Sequence, residues 1–566
     1  MTRGRHWFGR LGLLIGMLTT ACGNTSGAGR GPTPDVFSGP EAAATSSQSA
    51  LTQSSVCSDG FVAQALDHTT TTHGPEVRKF ESNGSGVAVG DLDADGLLDI
   101  ALANVGGPAT ILWNRGDLAF ETQRLGDVET RAVAIIDVDG DGRLDVTFTH
   151  QAGSVSFWRN LPPPSVGERP VFRLAGLPGV MRPAHAMAWG DLNGDGDLDL
   201  VTGSYDAELH LKLGDTFLFS SGAGVFAYER VGAAYTGTRL AETSQALAIS
   251  LLDLNGDGRS DIHVGNDFDV IDQFWLQTAD GWQADLPFPV VTHSTMGLDA
   301  GDVDNDGRIE LFASDMNPYD ASVETMTRWL PMMHELDKPR PMGDRQFNEN
   351  MLFTRGDDGA FTNVSAERRV NATGWSWSGE FGDLDNDGFL DLYVVNGMID
   401  AQLFDYLPNH ELVEQNQALR NLGDGSFMPA PEWGLGATES GRGMMLADFD
   451  NDGRLDIVVN NLRAPAMLYA NRLCEGQAVE VSLLWPAVHN THAIGARLAL
   501  HTSMGVIFRD VRVSCGYLSG SPARVHFGFP EGTTLERLEI QWTDGAVTTA
   551  RDLVASTWVS FTRQEP

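Results

Sequence analysis

One nine-residue string governs what this chain can become. It occurs as DLDADGLLD from Asp91, DVDGDGRLD from Asp137, DLNGDGDLD from Asp191 and DLNGDGRSD from Asp253. It returns as DVDNDGRIE from Asp302, DLDNDGFLD from Asp383 and DFDNDGRLD from Asp448. Chance does not place the template D-x-[DN]-x-D-G-x-x-[DE] seven times in one chain. A unit recurring at intervals of tens of residues marks a repeat architecture. Here the intervals run from 46 to 81 residues, enough for a few short strands with their turns.

The flanks carry strand patterning. Val87-Ala88-Val89-Gly90 precedes the first string and Leu98-Asp99-Ile100-Ala101-Leu102 follows it. Ala132 to Ile136 precedes the second, and Leu390 to Val395 follows the sixth. Apolar residues alternate with small or polar ones, the period of a strand. Each string is therefore expected to be a loop joining two antiparallel strands. A weaker echo, Trp113 to Asp117, Phe353 to Asp357 and Leu419 to Gly425, reads as outer hairpins with glycine turns. A unit then holds about four strands, the content of a propeller blade. The predicted fold is all-β: a seven-bladed β-propeller over residues 57–472, followed by a small β-rich domain over 473–566 with alternating apolar segments. An insertion at about 316–350 predicts a short helix or decorated loop whose Met-rich stretch either contacts a ligand or, the preferred reading, packs on the blade below.

The strings have the chemistry of a calcium loop. Ca²⁺ takes about six to eight oxygens at roughly 2.3–2.6 Å. Positions 1, 3 and 5 of a tight loop turn side chains to one centre, position 7 offers its backbone carbonyl, and position 9 closes the cage with both oxygens. In the first loop these are Asp91, Asp93, Asp95, Leu97 and Asp99; in the second Asp137, Asp139, Asp141, Arg143 and Asp145. The third offers Asp191, Asn193, Asp195, Asp197 and Asp199, and the fourth Asp253, Asn255, Asp257, Arg259 and Asp261. The fifth has Asp302, Asp304, Asp306, Arg308 and Glu310; the sixth Asp383, Asp385, Asp387, Phe389 and Asp391; the seventh Asp448, Asp450, Asp452, Arg454 and Asp456. The logic is that of an EF-hand loop shortened to sit between strands, and it predicts about seven Ca²⁺. Without metal each loop crowds like charges that repel by about 1 kcal/mol per pair even in water. The two Asn loops and the Glu310 loop are expected to bind more weakly.

The same acidity shows in the whole chain, with 76 Asp and Glu against 38 Lys and Arg and a net charge of −38. This excludes a nucleic-acid partner, which needs a basic footprint. At the N-terminus Arg3, Arg5 and Arg10 precede the apolar run Leu11 to Leu18, and Thr19-Thr20-Ala21-Cys22 follows. Residues 1–21 read as an export signal, too short in its apolar part for a mature span. Cys22 resembles a lipobox cysteine, so the protein is expected to be lipid-anchored at the outer membrane or cell surface, or otherwise secreted. Residues 22–56, rich in Gly, Ser, Thr, Ala and Pro, read as a flexible tether. Cys57, Cys474 and Cys515 remain, and a Cys474–Cys515 bridge is possible.

The acidic strings resemble the FG-GAP, or VCBS, repeats of integrin-α-type propellers, over about residues 57–472. The resemblance implies a seven-bladed propeller with Ca²⁺ in its inter-strand loops. Asn490, Ala493 to Arg497, Ser514 to Ser519, Val525 to Gly528 and Leu538 to Trp542 resemble an ASPIC/UnbV domain. The order of the two is similar to the cartilage acidic protein family and its bacterial relatives, as are Thr295-Met296-Gly297 and Trp375 to Gly379. The family implies architecture and metal rather than an activity.

No HExxH, GxSxG, Walker or CxxC motif is present, and no catalytic residue is assigned. Arg115-Gly116-Asp117 and Arg355-Gly356-Asp357 match an integrin-ligand tripeptide but occupy blade turns, so they read as structural. The expected function is a calcium-binding surface protein whose rigid propeller presents a face to an extracellular protein or carbohydrate, in adhesion or recognition. The alternative is an extracellular hydrolase or lyase with the propeller as scaffold.

Overall fold

The computed structural model describes residues 35–52, 57–165, 168–214, 223–268, 270–336 and 342–564. The leader 1–21 and Cys22 lie outside the described residues. Seven sheets each carry one of the seven acidic loops. The first runs Val87–Gly90, Asp99–Leu102, Pro108–Asn114, Phe120–Val128, each strand antiparallel to the last. The loop joins the first two strands, as the alternation predicts. The sixth sheet gains a fifth strand, Met316–Asn317, lent by the insertion in the fifth.

The first strands of successive sheets pack side by side around a ring, and the seventh meets the first. Close approach there needs glycine. A Cβ on Gly90 would lie 2.6 Å from Ile135 of the next sheet, and one on Gly301 would lie 2.5 Å from Leu390. The ring is closed by the N-terminal end of the chain. Strand Phe61–Thr69 supplies the outer edge of the seventh sheet, beside Pro465–Asn471. Cys57 and Cys474 form a disulfide across this seam, with Cα atoms 5.4 Å apart. The possible Cys474–Cys515 bridge is thus not made: Cys515 is a free thiol beside Ser521. The sequence brings Cys57 to Cys474 only through closure of the ring, which no local spacing reveals.

The C-terminal body is a sandwich of two four-stranded sheets. Val479, Val481, Leu498, Leu500, Phe527, Ile540 and Phe561 fill the space between them. One edge of it corrects the expected tether 22–56. Ala44–Ala50 forms a strand antiparallel to Thr557–Arg563, and the Val36 and Phe37 amides donate to Glu539. This edge strand, ATSSQSA, is held by its backbone with its side chains exposed, so composition alone disguises it as linker. The boundary at 473 is likewise incomplete, because residues 36–50 belong with the C-terminal body.

That body docks on the ring. Its segment Arg512–Ser521 enters the central channel and bonds the first strands from within. Gly516 donates to Leu298 O (2.7 Å), Gly520 to Val87 O (3.0 Å), and Val133 to Leu518 O (3.1 Å). The Tyr517 amide donates to Ser378 Oγ and its hydroxyl to Asn83 O (2.7 Å). The insertion folds as a helix, Val323–Leu336. It buries Trp329 against Trp375, and the Trp329 indole donates to Glu414 (2.9 Å). It therefore packs on the sixth sheet, as its apolar content suggested.

Candidate metal centre

Each acidic loop is wound around its first aspartate. Asp91 Oδ1 accepts from the Asp95 amide (3.1 Å) and Oδ2 from Gly96 (2.9 Å). Gly96 sits at φ +90°, a left-handed backbone that glycine adopts without strain. Asp137 and Asp448 make the same pair of bonds to Asp141 and Gly142, and to Asp452 and Gly453. The carboxylate at position 5 accepts the amide of position 7 in every loop: Leu97, Arg143, Asp197, Arg259, Arg308, Phe389 and Arg454. Position 9 has a second task. Asp99 accepts from Leu92 at the loop's start (3.0 Å) and from Asn114 on the third strand (2.8 Å). Asp145, Asp199, Asp261, Asp391 and Asp456 repeat this brace. Both oxygens are thus already engaged by amides, each with one lone pair left, rather than reserved for an ion.

Position 3 behaves differently. The second oxygen of Asp385 faces Arg420 (2.7 Å), and that of Asp450 faces Arg472 (3.0 Å). Asp93, Asp139 and Asp304 face Arg115, Arg159 and Arg368 in the same way. The other oxygen, Oδ1, of Asp93, Asp139, Asp304, Asp385 and Asp450 is buried with no hydrogen-bond partner. In these five loops three carboxylates approach within 4.8 Å of one another. They are Asp91, Asp93 and Asp99; Asp137, Asp139 and Asp145; Asp302, Asp304 and Asp306; Asp383, Asp385 and Asp391; and Asp448, Asp450 and Asp456. Glu310 lies outside its loop's group; it accepts from Val303 and Thr354. The third and fourth loops form no three-carboxylate group, because Asn193 and Asn255 stand at position 3.

Burial first, then the neighbouring carboxylates, raises several of the loop acids. Asp91 is pushed up to about 6, and Asp145, Glu310 and Asp383 to about 8. A buried carboxylate oxygen without a donor is costly. In each of the five loops one such carboxylate stands with two others whose oxygens keep a free lone pair, and a set of hard donors of this kind fits a hard divalent cation of the calcium type.

One recurring residue escaped the sequence reading. Asn114 donates through Nδ2 to Leu98 O of its own loop (3.1 Å) and to Phe449 O of the preceding sheet's loop (2.8 Å). Asn160, Asn421 and Asn471 bridge in the same way to Leu92, Val303 and Leu384. Arg230 takes the role in the third sheet, bonding Val138 O. The signal lay in the echo Trp113-Asn114-Arg115-Gly116, which read only as a turn. The tripeptides are structural. Arg115 faces Asp93 and Glu121, Asp357 pairs with Arg308 (2.5 Å), and Arg355 donates to Asn255 O (2.5 Å).

The C-terminal body lies over these loops. Thr491 reaches Asp137, His489 meets Asp197 (2.5 Å), and the Asn490 amide donates to Gly196 O (2.8 Å). His526 meets Gly453 O (3.1 Å), and Thr52 of the N-terminal segment donates to Asn451 O (2.6 Å). One face of the ring is thereby covered.

Fold and loops together define a β-propeller protein with acidic inter-strand loops and a capping β domain. A family model described as FG-GAP-like repeat matches residues 91–148, 137–202, 230–313, 343–394 and 409–459, segments that contain all seven loops. The chain belongs to the FG-GAP-like repeat family. A second model, ASPIC and UnbV, matches residues 487–566. No curated protein matches the chain. Among solved structures it is similar to BBS1N from a complex with ARL6DN, at 10% identity and TM-score 0.38, covering 71% of this chain and 98% of that one. It is similar to the exotype rhamnogalacturonan lyase YesX at 12% identity and TM-score 0.36, covering 73% and 76%. A Tc holotoxin pore of Photorhabdus luminescens matches at 12% identity and TM-score 0.28, covering 88% of this chain and 18% of that one. Among the described residues no helix is long and apolar enough to cross a membrane.

Proposed function

We propose that the chain is a calcium-binding exported surface protein whose rigid propeller presents a binding face to an extracellular protein or carbohydrate. The observation that carries the metal reading is the orphaned Oδ1 of Asp93, Asp139, Asp304, Asp385 and Asp450, each buried beside two further carboxylates. A cation there supplies positive charge that lets the crowded acids ionise. Positions 1, 3 and 9 hold it in four of these loops, with Asp302, Asp304 and Asp306 in the fifth. The third and fourth loops, each with an amide in place of one carboxylate, hold it more weakly.

The choice of binding face is supported by what is covered. The C-terminal body takes the loop face, so the partner meets the opposite face, where the helix Val323–Leu336 and the loops leaving the second strands stand. An N-terminal leader and a lipid on Cys22 complete the picture of a surface-held recognition protein. Elemental analysis and calorimetric titration of the purified mature chain test the metal. Near-stoichiometric calcium in several sites supports it, and a preparation free of alkaline-earth metal that gives no heat overturns it. A protein and glycan array probed with and without calcium tests the recognition role, and a blank array in calcium argues against it.

A further inference from the structure

The fourth loop differs from its neighbours in what it faces. A cleft of about 830 Å³ separates it from the C-terminal body. Its walls are the loop around Asp253–Arg259, the hairpin Arg355–Gly359 of the fifth sheet, and Gly495, Arg497 and Gln541–Thr543 of the C-terminal body. That size lies within the range of roughly 300–1,000 Å³ typical of small-ligand sites.

The cleft is charged against the grain of the chain. The protein has twice as many acidic as basic residues. Yet five arginines line this one cleft against four aspartates. Three of the five come from three different elements, and two of these are loosely held. Arg259 lies 3.7 Å from Asp257 and is half exposed, and Arg497 lies 3.5 Å from Asp510. Arg355 rests on the carbonyls of Asn255 and Gly359, and no ion pair among the described residues engages it. The Thr543 hydroxyl in the same wall is buried with no partner. Leu311 and Phe361 give an apolar floor.

From this we infer that the cleft binds a short acidic saccharide. Guanidinium forks match carboxylates two bonds at a time. The interspersed Asp357 and Asp358 accept hydroxyl donors, which a sugar carries in number. A densely anionic peptide or a phosphate would meet those same aspartates as repulsion. The site goes beyond the reading above, which puts the partner on the opposite face.

The test is calorimetry on the full mature chain in calcium buffer with four probes: a mannuronate trisaccharide, neutral mannotriose, hexaglutamate and inorganic phosphate. The acidic sugar is expected to bind and neutral mannotriose to bind at least tenfold more weakly. Arg355→Met, and separately the rim variant Arg259→Met, are expected to weaken the acidic sugar about tenfold, with the melt unchanged in Arg259→Met. No binding of the acidic sugar, or equal binding in both variants, overturns the site. Equal binding of hexaglutamate or phosphate overturns the saccharide assignment. Calcium heats recorded on the same sample keep the two proposals apart, since intact calcium binding with no sugar binding removes this one alone.

Discussion

Thr491 of the C-terminal body donates its hydroxyl to Oδ2 of Asp137, the first aspartate of the second loop, at 2.7 Å, and both residues are buried. A domain contact and a candidate metal ligand are thus the same carboxylate. Docking and loop order are coupled through it. Hydrogen bonds to a charged group contribute about 1.5–3 kcal/mol. Thr491→Val is expected to destabilise the chain by about that much and to expose the interdomain segment near Thr491 to limited proteolysis. An unchanged melt and cleavage pattern would refute the coupling.

Removing calcium should have a larger effect than any single loop change. Ligands that bind only the folded state add stability site by site. Excess chelator at low ionic strength is expected to lower Tm by on the order of tens of degrees. Asp91→Ala is expected to lower it by only a few degrees, because one site of several is lost. Scanning calorimetry checks both, and equal melts with and without chelator would contradict the metal reading.

The pH dependence should change sign with metal. Asp91, raised to about 6, and Asp145 and Glu310, raised to about 8, hold protons in the folded state that they lose in the unfolded one. Without metal, their contribution is therefore greatest below the unfolded values near ~4 and is lost as pH climbs through about 6 to about 8. With calcium the carboxylates must ionise to bind, so stability should increase over the same window. Melts between about pH 5 and 8, in chelator and in calcium, should slope in opposite directions, and parallel slopes would count against the assignment.

The seam of the ring should be sensitive to reduction. Cys57 and Cys474 are 417 residues apart, and removing such a cross-link typically costs about 2–5 kcal/mol. The Cys57→Ser and Cys474→Ser pair is expected to lose that stability. Cys515→Ser, which leaves the disulfide intact, is expected to respond to reductant as the native chain does. A native melt insensitive to reductant would show that the disulfide does not hold the seam.

The inter-sheet bridge can be tested at one residue. Asn114→Ala removes the Nδ2 bonds to Leu98 O and Phe449 O and leaves both buried carbonyls short of a donor. A loss of about 2–3 kcal/mol is expected from chemical denaturation. A loss below about 0.5 kcal/mol would show that the bridge contributes little.

Much of the ring was legible because its unit is local. The loop, its flanking strands and its glycine lie within a few residues, so Asp91 to Asp99 announces its own geometry. The docked segment Arg512–Ser521 and the Cys57–Cys474 pair were not legible, since each depends on partners hundreds of residues away. Ala44–Ala50 was misread because a strand held by its backbone leaves no trace in side-chain pattern. Asn114 was visible but ambiguous: a hairpin asparagine and an inter-sheet bridge look alike until the neighbouring sheet is placed.

The strand Ala44–Ala50 pairs with Thr557–Arg563, and Thr45 and Thr562 within that pair stand 517 residues apart. Two segments this remote in sequence meet only once the C-terminal body is assembled. Damage that frees residues 557–563 therefore also releases residues 44–50, and the state of one strand is read out in the other.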